Sequence, residues 1–323
     1  MSNTETAPTE LTCTTTTASS TVEILTPRDV PLGGPRAMQV RRTLPQRRRS
    51  FIGAWCFADH YGPDDVSESG GMDVAPHPHT GLQTVSWIFT GEIEHRDSGG
   101  VHEFVRPGEI NLMTGGHGIC HSETSTANTR VLHGVQLWVA LPDHARNAPR
   151  NFQHFAPDVI EVDDAKVQVF LGSLAGSVSP VETFTPLLGA EINLPAGGTI
   201  SFDINAEFEH GILVDAGSAT VEDTTIGYAE LGYFTPGRTT LTIAGAADQP
   251  SRLILLGGTP FNEEIIMWWN FVGRTHEEII EFREAWENET DRFGAVEGYK
   301  GKVHRLPAPV LPNAQLKPRR NPS

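Results

Sequence analysis

Two pairs of potential metal ligands, His77/His79 and His121/Glu123, constrain this 323-residue chain more than any other feature. Within each pair the two residues are separated by one position. Successive side chains on an extended strand point to opposite faces, so an i,i+2 pair presents both members on one side. The pairs converge on one point if their strands lie side by side. Three imidazoles and one carboxylate are a donor set that Zn, Fe, Mn, Ni and Cu all accept.

The residues between the pairs read as short strands and turns. Val85, Trp87 and Phe89 alternate as on a half-buried strand. Thr90-Gly91-Glu92 and Arg106-Pro107-Gly108-Glu109 are turn signals, flanking short runs at His102 to Val105 and Ile110 to Met113. With no helical period in this stretch, the pattern predicts antiparallel β-structure closed into a small barrel.

HxH, a Gly-rich hairpin, Pro-x-Gly and a later His together resemble the cupin pattern. More narrowly, the chain resembles the pirin family. The matching pieces are Asp59-His60-Tyr61-Gly62-Pro63, His77-Pro78-His79, His95-Arg96-Asp97-Ser98, Arg106-Pro107-Gly108 through Met113-Thr114-Gly115-Gly116, His121-Ser122-Glu123 and Gly134 to Val139. The resemblance covers roughly residues 23–290.

It implies an all-β chain of two cupin-like antiparallel barrels in tandem, with a C-terminal α-helix. The expected division is a Thr/Ser-rich disordered tail at 1–22, a metal-binding barrel at 23–150, a second barrel without metal at 151–290, and a Pro-rich tail at 291–323. It also implies that His77, His79, His121 and Glu123 hold iron. Six-coordinate Fe(II) would keep two positions open, unlike a closed structural Zn site. Mn, Ni, Cu, Co and Zn also fit the donor set.

Two functions follow from the resemblance. One is a quercetin 2,3-dioxygenase type of enzyme, taking a flavonol-like small molecule and O2, with Glu123 as ligand and candidate base. The other is an iron-dependent regulator that works through a protein partner. A monomer is expected on the same ground. Gln83 stands where many cupins carry a Glu, which removes one acid/base group expected beside the metal. His117 is read as lining the pocket or lying on a surface loop, and Cys120 as a small buried hydrophobe. His60 and His95 are read as outer partners of the ligands or as structural residues, and Met113 and Trp87 as core.

The second half repeats the plan weakly, with Gly211 to Gly217 echoing the hairpin and Leu231 to Gly237 the Pro-Gly turn. His210 is the only histidine between His154 and His276, so no three-imidazole site can form there. Thr275 and Glu278 make a capping box for a helix over 275–289, with Ile279, Phe282 and Trp286 as its apolar stripe.

A net charge of −16 disfavours contact with nucleic-acid backbone. Arg41, Arg42, Arg47, Arg48 and Arg49 form a local basic cluster, read as the solvated edge of the first strands. Three scattered cysteines do not make a disulfide framework. With no apolar run of about 18 residues and no apolar core in the N-terminal stretch, a cytoplasmic protein with no membrane span is expected.

Overall fold

In the computed structural model, residues 22–31, 38–68 and 71–321 are described; the Thr/Ser-rich stretch at 1–21 lies outside them. The chain forms two units, each a pair of antiparallel sheets, as the resemblance implied.

In the first unit, a seven-stranded sheet runs in the order Asn151–Phe155, Ile110–Thr114, Leu82–Thr90, Val131–Ala140, Trp55–Asp65, Gln39–Leu44, Arg28–Pro31. The four-stranded sheet runs Asp73–His79, Ile119–Ser125, Ile93–Asp97, His102–Val105. The second unit repeats this plan with another seven-stranded and another four-stranded sheet.

Three features depart from the sequence expectations. The Asp59-His60-Tyr61-Gly62-Pro63 piece, which reads from sequence as a turn after an apolar run, is not one. It lies within the Trp55–Asp65 strand, with Gly62 taking a φ of +78° that a side chain would resist. Asp143 to Phe155 reads from sequence as a connector broken by Pro149 and Asn151, but Asn151–Phe155 is a strand paired with Ile110–Thr114, with Phe152 opposite Met113 in register. Glu23–Leu25, assigned to the first barrel, pairs with Leu231–Phe234 of the second. Val22 joins the second unit's core, so the segment from Val22 to Leu25 is stitched into the chain's far half.

The largest apolar core lies between the units. Trp55, Phe57, Val85, Trp87 and Trp138 pack in it with Phe170, Leu213 and Leu256. Polar links cross the same boundary. The Trp55 indole donates to the Leu188 and Gly257 carbonyls at 3.2 and 3.1 Å, the Trp87 indole donates to Glu191 at 2.6 Å, and the Gly53 amide donates to Glu209 at 2.6 Å.

The helix is His276–Glu287, N-capped by Thr275 with the capping box formed, and Ile279, Phe282 and Trp286 are its buried stripe. That stripe packs with Cys120 and Phe271, so the helix braces the first unit rather than the second. The hairpin before it docks there too, with Phe271 bridging Thr80 beside the HxH pair.

The C-terminal segment is packed, including its described residues from Arg305 on, where Pro-rich, acid-free composition predicts disorder. Phe293 is buried, the Leu306 amide donates to the Pro76 carbonyl at 2.9 Å, and the Tyr299 hydroxyl donates to Asp73 at 2.7 Å. Asn321 is held by Ser50 and Phe51. The apolar residues that Pro-rich composition hides, Phe293, Leu306 and Ala308, supply the contacts.

Candidate metal centre

The two ligand-bearing strands are neighbours, with His121 opposite His77 and Ile119 opposite His79 in register. All three histidines are fully buried, and one ring nitrogen from each lies within 4.8 Å of the other two. On its other side, the Ile119–Ser125 strand pairs with Ile93–Asp97, placing His121 opposite Asp97 and Glu123 opposite His95.

The hydrogen bonds fix which nitrogens face inward. His77 Nδ1 lies 2.9 Å from the Ala75 carbonyl, and His79 Nδ1 lies 3.2 Å from the Asn270 carbonyl. A carbonyl only accepts, so both Nδ1 atoms carry the proton and both Nε2 atoms present lone pairs. His77 Nε2 has no hydrogen-bond partner among the described residues, and His79 Nε2 faces His121 Nε2 at 3.1 Å.

His121 Nδ1 in turn lies 3.4 Å from His95 Nδ1, and His95 Nε2 lies 3.2 Å from Asp97. With His95 donating to Asp97, His95 Nδ1 accepts from His121, and the third lone pair joins the other two. Three convergent lone pairs in a buried place call for a cation, so the residues fit a divalent metal.

Burial pushes His77 down to about 3 and His79 and His121 well below the usual imidazole range. All three are therefore neutral at pH 7, the form that ligates.

Glu123 is buried on the same strand but is not among the side chains of that three-nitrogen cluster. The pairing with Asp73–His79 shifts register between His121 and Glu123, so that Glu123 lies opposite Val74, and it stays near enough for its charge to act on His77. The Ser86 hydroxyl lies 3.5 Å from Glu123 Oε1.

The other residues singled out from sequence sort clearly. His117 is exposed. Cys120 is buried against the helix core, and burial pushes its thiol up to about 12, so it is an unreactive hydrophobe. Met113 and Trp87 are core. Gln83 lies opposite Val139 and shares a strand face with Val85 and Trp87, the face turned to the second unit, so it takes no place beside the metal. His210 is buried, with its ring centroid 6.1 Å from that of Phe208, and no other histidine, cysteine or carboxylate joins it in a cluster among the described residues.

The basic cluster is divided: Arg47 and Arg48 are exposed, as the solvated-edge reading expects, while Arg42 and Arg49 are structural. Arg42, far from solvated, forms a two-pronged pair with Asp59 at 2.7 and 2.8 Å, and Arg49 pairs with Glu23 and covers Tyr233. Asp97 and the Asn270 carbonyl were missed. The i,i+2 spacing of His95 and Asp97 is the same signal that marked the ligands; Asn270 is distant in sequence and gives none.

A second cluster, His60, His133 and Asp215, is buried between the units. His60 Nδ1 accepts from Arg41 at 3.2 Å, so its Nε2 carries the proton and donates to Asp215 at 2.7 Å. Arg252 also reaches Asp215, at 3.2 Å. With that lone pair used and two guanidinium groups adjacent, the cluster is a hydrogen-bonded clamp rather than a cation site.

Comparison with known proteins places these features. Residues 37–139 match Pirin, and residues 189–294 match the Pirin C-terminal cupin domain. A Pseudomonas aeruginosa protein with the provisional name quercetin 2,3-dioxygenase is 42% identical over 290 residues, covering 89% of this chain and 90% of the relative. A pirin-like protein of Caulobacter vibrioides is 32% identical over 259 residues, covering 77% and 88%.

Among solved structures, a quercetin 2,3-dioxygenase from Acinetobacter baumannii superposes with a TM-score of 0.86 at 37% identity, covering 93% of this chain and 98% of that one. A bacterial pirin from Escherichia coli in complex with nickel(II) shares the fold at a TM-score of 0.59 and 19% identity, covering 74% and 99%.

Proposed function

Because the chain belongs to the pirin family, we propose that it is an Fe(II)-dependent dioxygenase that opens the central ring of flavonols, with His77, His79, His121 and Glu123 as the iron ligands. The observation that carries the metal is the convergence of three unprotonated Nε2 atoms, two of them fixed by backbone carbonyls. The substrate class rests on the relatives whose names specify quercetin 2,3-dioxygenase.

Bound iron would acidify a coordinated flavonol hydroxyl and bring O2 to the resulting electron-rich anion. The chain's own residues do the rest. The Ala75 and Asn270 carbonyls aim His77 and His79, and His95 with Asp97 aims His121. Glu123 is the one acid of the set and takes the hydroxyl proton at its carboxylate. Burial of the whole set excludes water, which strengthens each electrostatic contact.

The test is O2-dependent loss of quercetin with protein loaded anaerobically with Fe(II), alongside His79→Ala. Turnover by the wild type and none by the variant is the expected result. Iron retention without turnover would overturn the enzyme reading and leave an iron-dependent regulator acting through a protein partner.

A further inference from the structure

Several buried polar atoms of the first unit have no hydrogen-bond partner among the described residues, and three share one surface. They are Tyr61 Oη, Gln136 Nε2 and Trp138 Nε1. All three side chains are at most 1% exposed. Buried donors are normally paired, so such a set calls for an explanation.

Strand register gives their common direction. Val131–Ala140 pairs with Trp55–Asp65 so that Gly134 is opposite Tyr61, Gln136 opposite Asp59 and Trp138 opposite Phe57. Cross-strand partners share a face, so Tyr61, Gln136 and Trp138 lie in a row on one side of the seven-stranded sheet.

Two of the three make contacts that tie the row to the metal centre. The Trp138 ring meets the His79 ring edge-on at 5.2 Å. The Ser86 hydroxyl lies 2.9 Å from Gln136 Oε1 and 3.5 Å from Glu123 Oε1, so it joins that amide to the candidate base. Tyr61 is also close enough for the Glu123 charge to act on it, adding to the larger effect of burial in raising its pKa.

Chemistry sets the class of ligand. The Gln136 carbonyl is taken by Ser86, which leaves its N–H groups to donate. The tyrosine hydroxyl and the indole N–H are donors as well. We propose that Tyr61, Gln136 and Trp138 form a row of donors across from the metal that recognises a ligand rich in oxygen acceptors, such as the keto and hydroxyl oxygens of a flavonol. The flavonol part rests on the proposed function; the preference for an oxygen ligand rests on the three donors alone. Gln83, also incompletely paired, faces the other side of its strand and is not part of the row.

The experiment is anaerobic binding of two probes, maltol and 3-hydroxyflavone, to Ni(II)-loaded protein, followed by the shift in ligand absorbance. Both probes carry a vicinal keto-hydroxyl pair, and they differ in size. Wild type is compared with Tyr61→Phe, Gln136→Met and Trp138→Phe, with metal content and Tm measured for each. Each lost donor is expected to weaken binding roughly tenfold at unchanged metal content.

If wild type binds both probes and at least two variants bind as tightly as it does, the row is overturned, and a raised Tm would mark these groups as packing. Maltol binding that weakens in the variants, with no 3-hydroxyflavone binding, upholds the row and removes the flavonol reading. If wild type holds nickel and binds neither probe, both fall. Tyr61→Phe removes a single oxygen, and it keeps the test decisive if a larger change fails to fold.

Discussion

At His95 one side chain links a carboxylate to His121, a proposed metal ligand. Asp97 accepts from its Nε2, and its Nδ1 meets His121 Nδ1 at 3.4 Å. Removing such an outer partner typically lowers metal affinity about 10- to 100-fold. His95→Phe keeps the ring against Phe152, 5.0 Å away between centroids, and deletes both nitrogens. Chelator competition should therefore show weaker metal binding by that factor, with Tm of the metal-free protein nearly unchanged; equal affinity would show that His121 needs no such support. The convergence of His77, His79 and His121 was legible because strand geometry is local and the i,i+2 spacing states it directly. What faces a ligand from behind depends on which strand is its neighbour, and that is set by long-range pairing. His95 could be matched to a family piece, whereas its bond to His121 could not be read from spacing.

Elements far apart in sequence complete the site. The hairpin formed by Ile266–Trp268 and Phe271–Gly273 sets Asn270 against His79, and the Val272 amide donates to the Thr80 carbonyl at 3.0 Å. Gly81 makes that approach feasible. Its φ is +67°, and a Cβ there would stand 2.3 Å from the Val272 carbonyl oxygen. Gly81→Ala should thus lose more than about 1 kcal/mol of stability from backbone strain alone. It should also weaken metal binding by prying the Asn270 carbonyl from His79. Thermal unfolding together with chelator competition checks both, and a stable variant with full metal affinity would show that the hairpin is not needed at the site. The capping box and the Ile279, Phe282, Trp286 stripe gave the helix from sequence because both are local patterns. Its docking on the first unit, the exchange of Glu23–Leu25 and the packed C-terminal segment were not legible. They depend on which apolar surface is left uncovered, and composition dominated by proline conceals the few apolar anchors.

The whole molecule is held by its inter-unit boundary, where carboxylates of the second unit meet donors of the first. Asp215 is one of these, facing His60 and His133 across the boundary and Arg252 from its own unit. Burial raises its pKa, but hydrogen bonds from His133 and His60 outweigh that and hold it down to about 2. Its unfolded value is near 4, so the stability it contributes is present above about pH 4 and is lost as pH falls towards 2. Buried His60 is shifted down as well, by loss of solvent. The unfolded chain therefore takes up that proton first, and stability declines as pH drops below about 6.5. Both groups push in one direction, so the boundary is firmest at neutral pH and weakens in acid. Asp215→Asn removes the charge facing two histidines and an arginine, and breaking such a buried arrangement costs about 3–5 kcal/mol. The variant's Tm should fall at pH 7, and its decline between pH 4 and 2 should be shallower than that of wild type. An unchanged acid slope would mean that Asp215 is not the group titrating at the boundary.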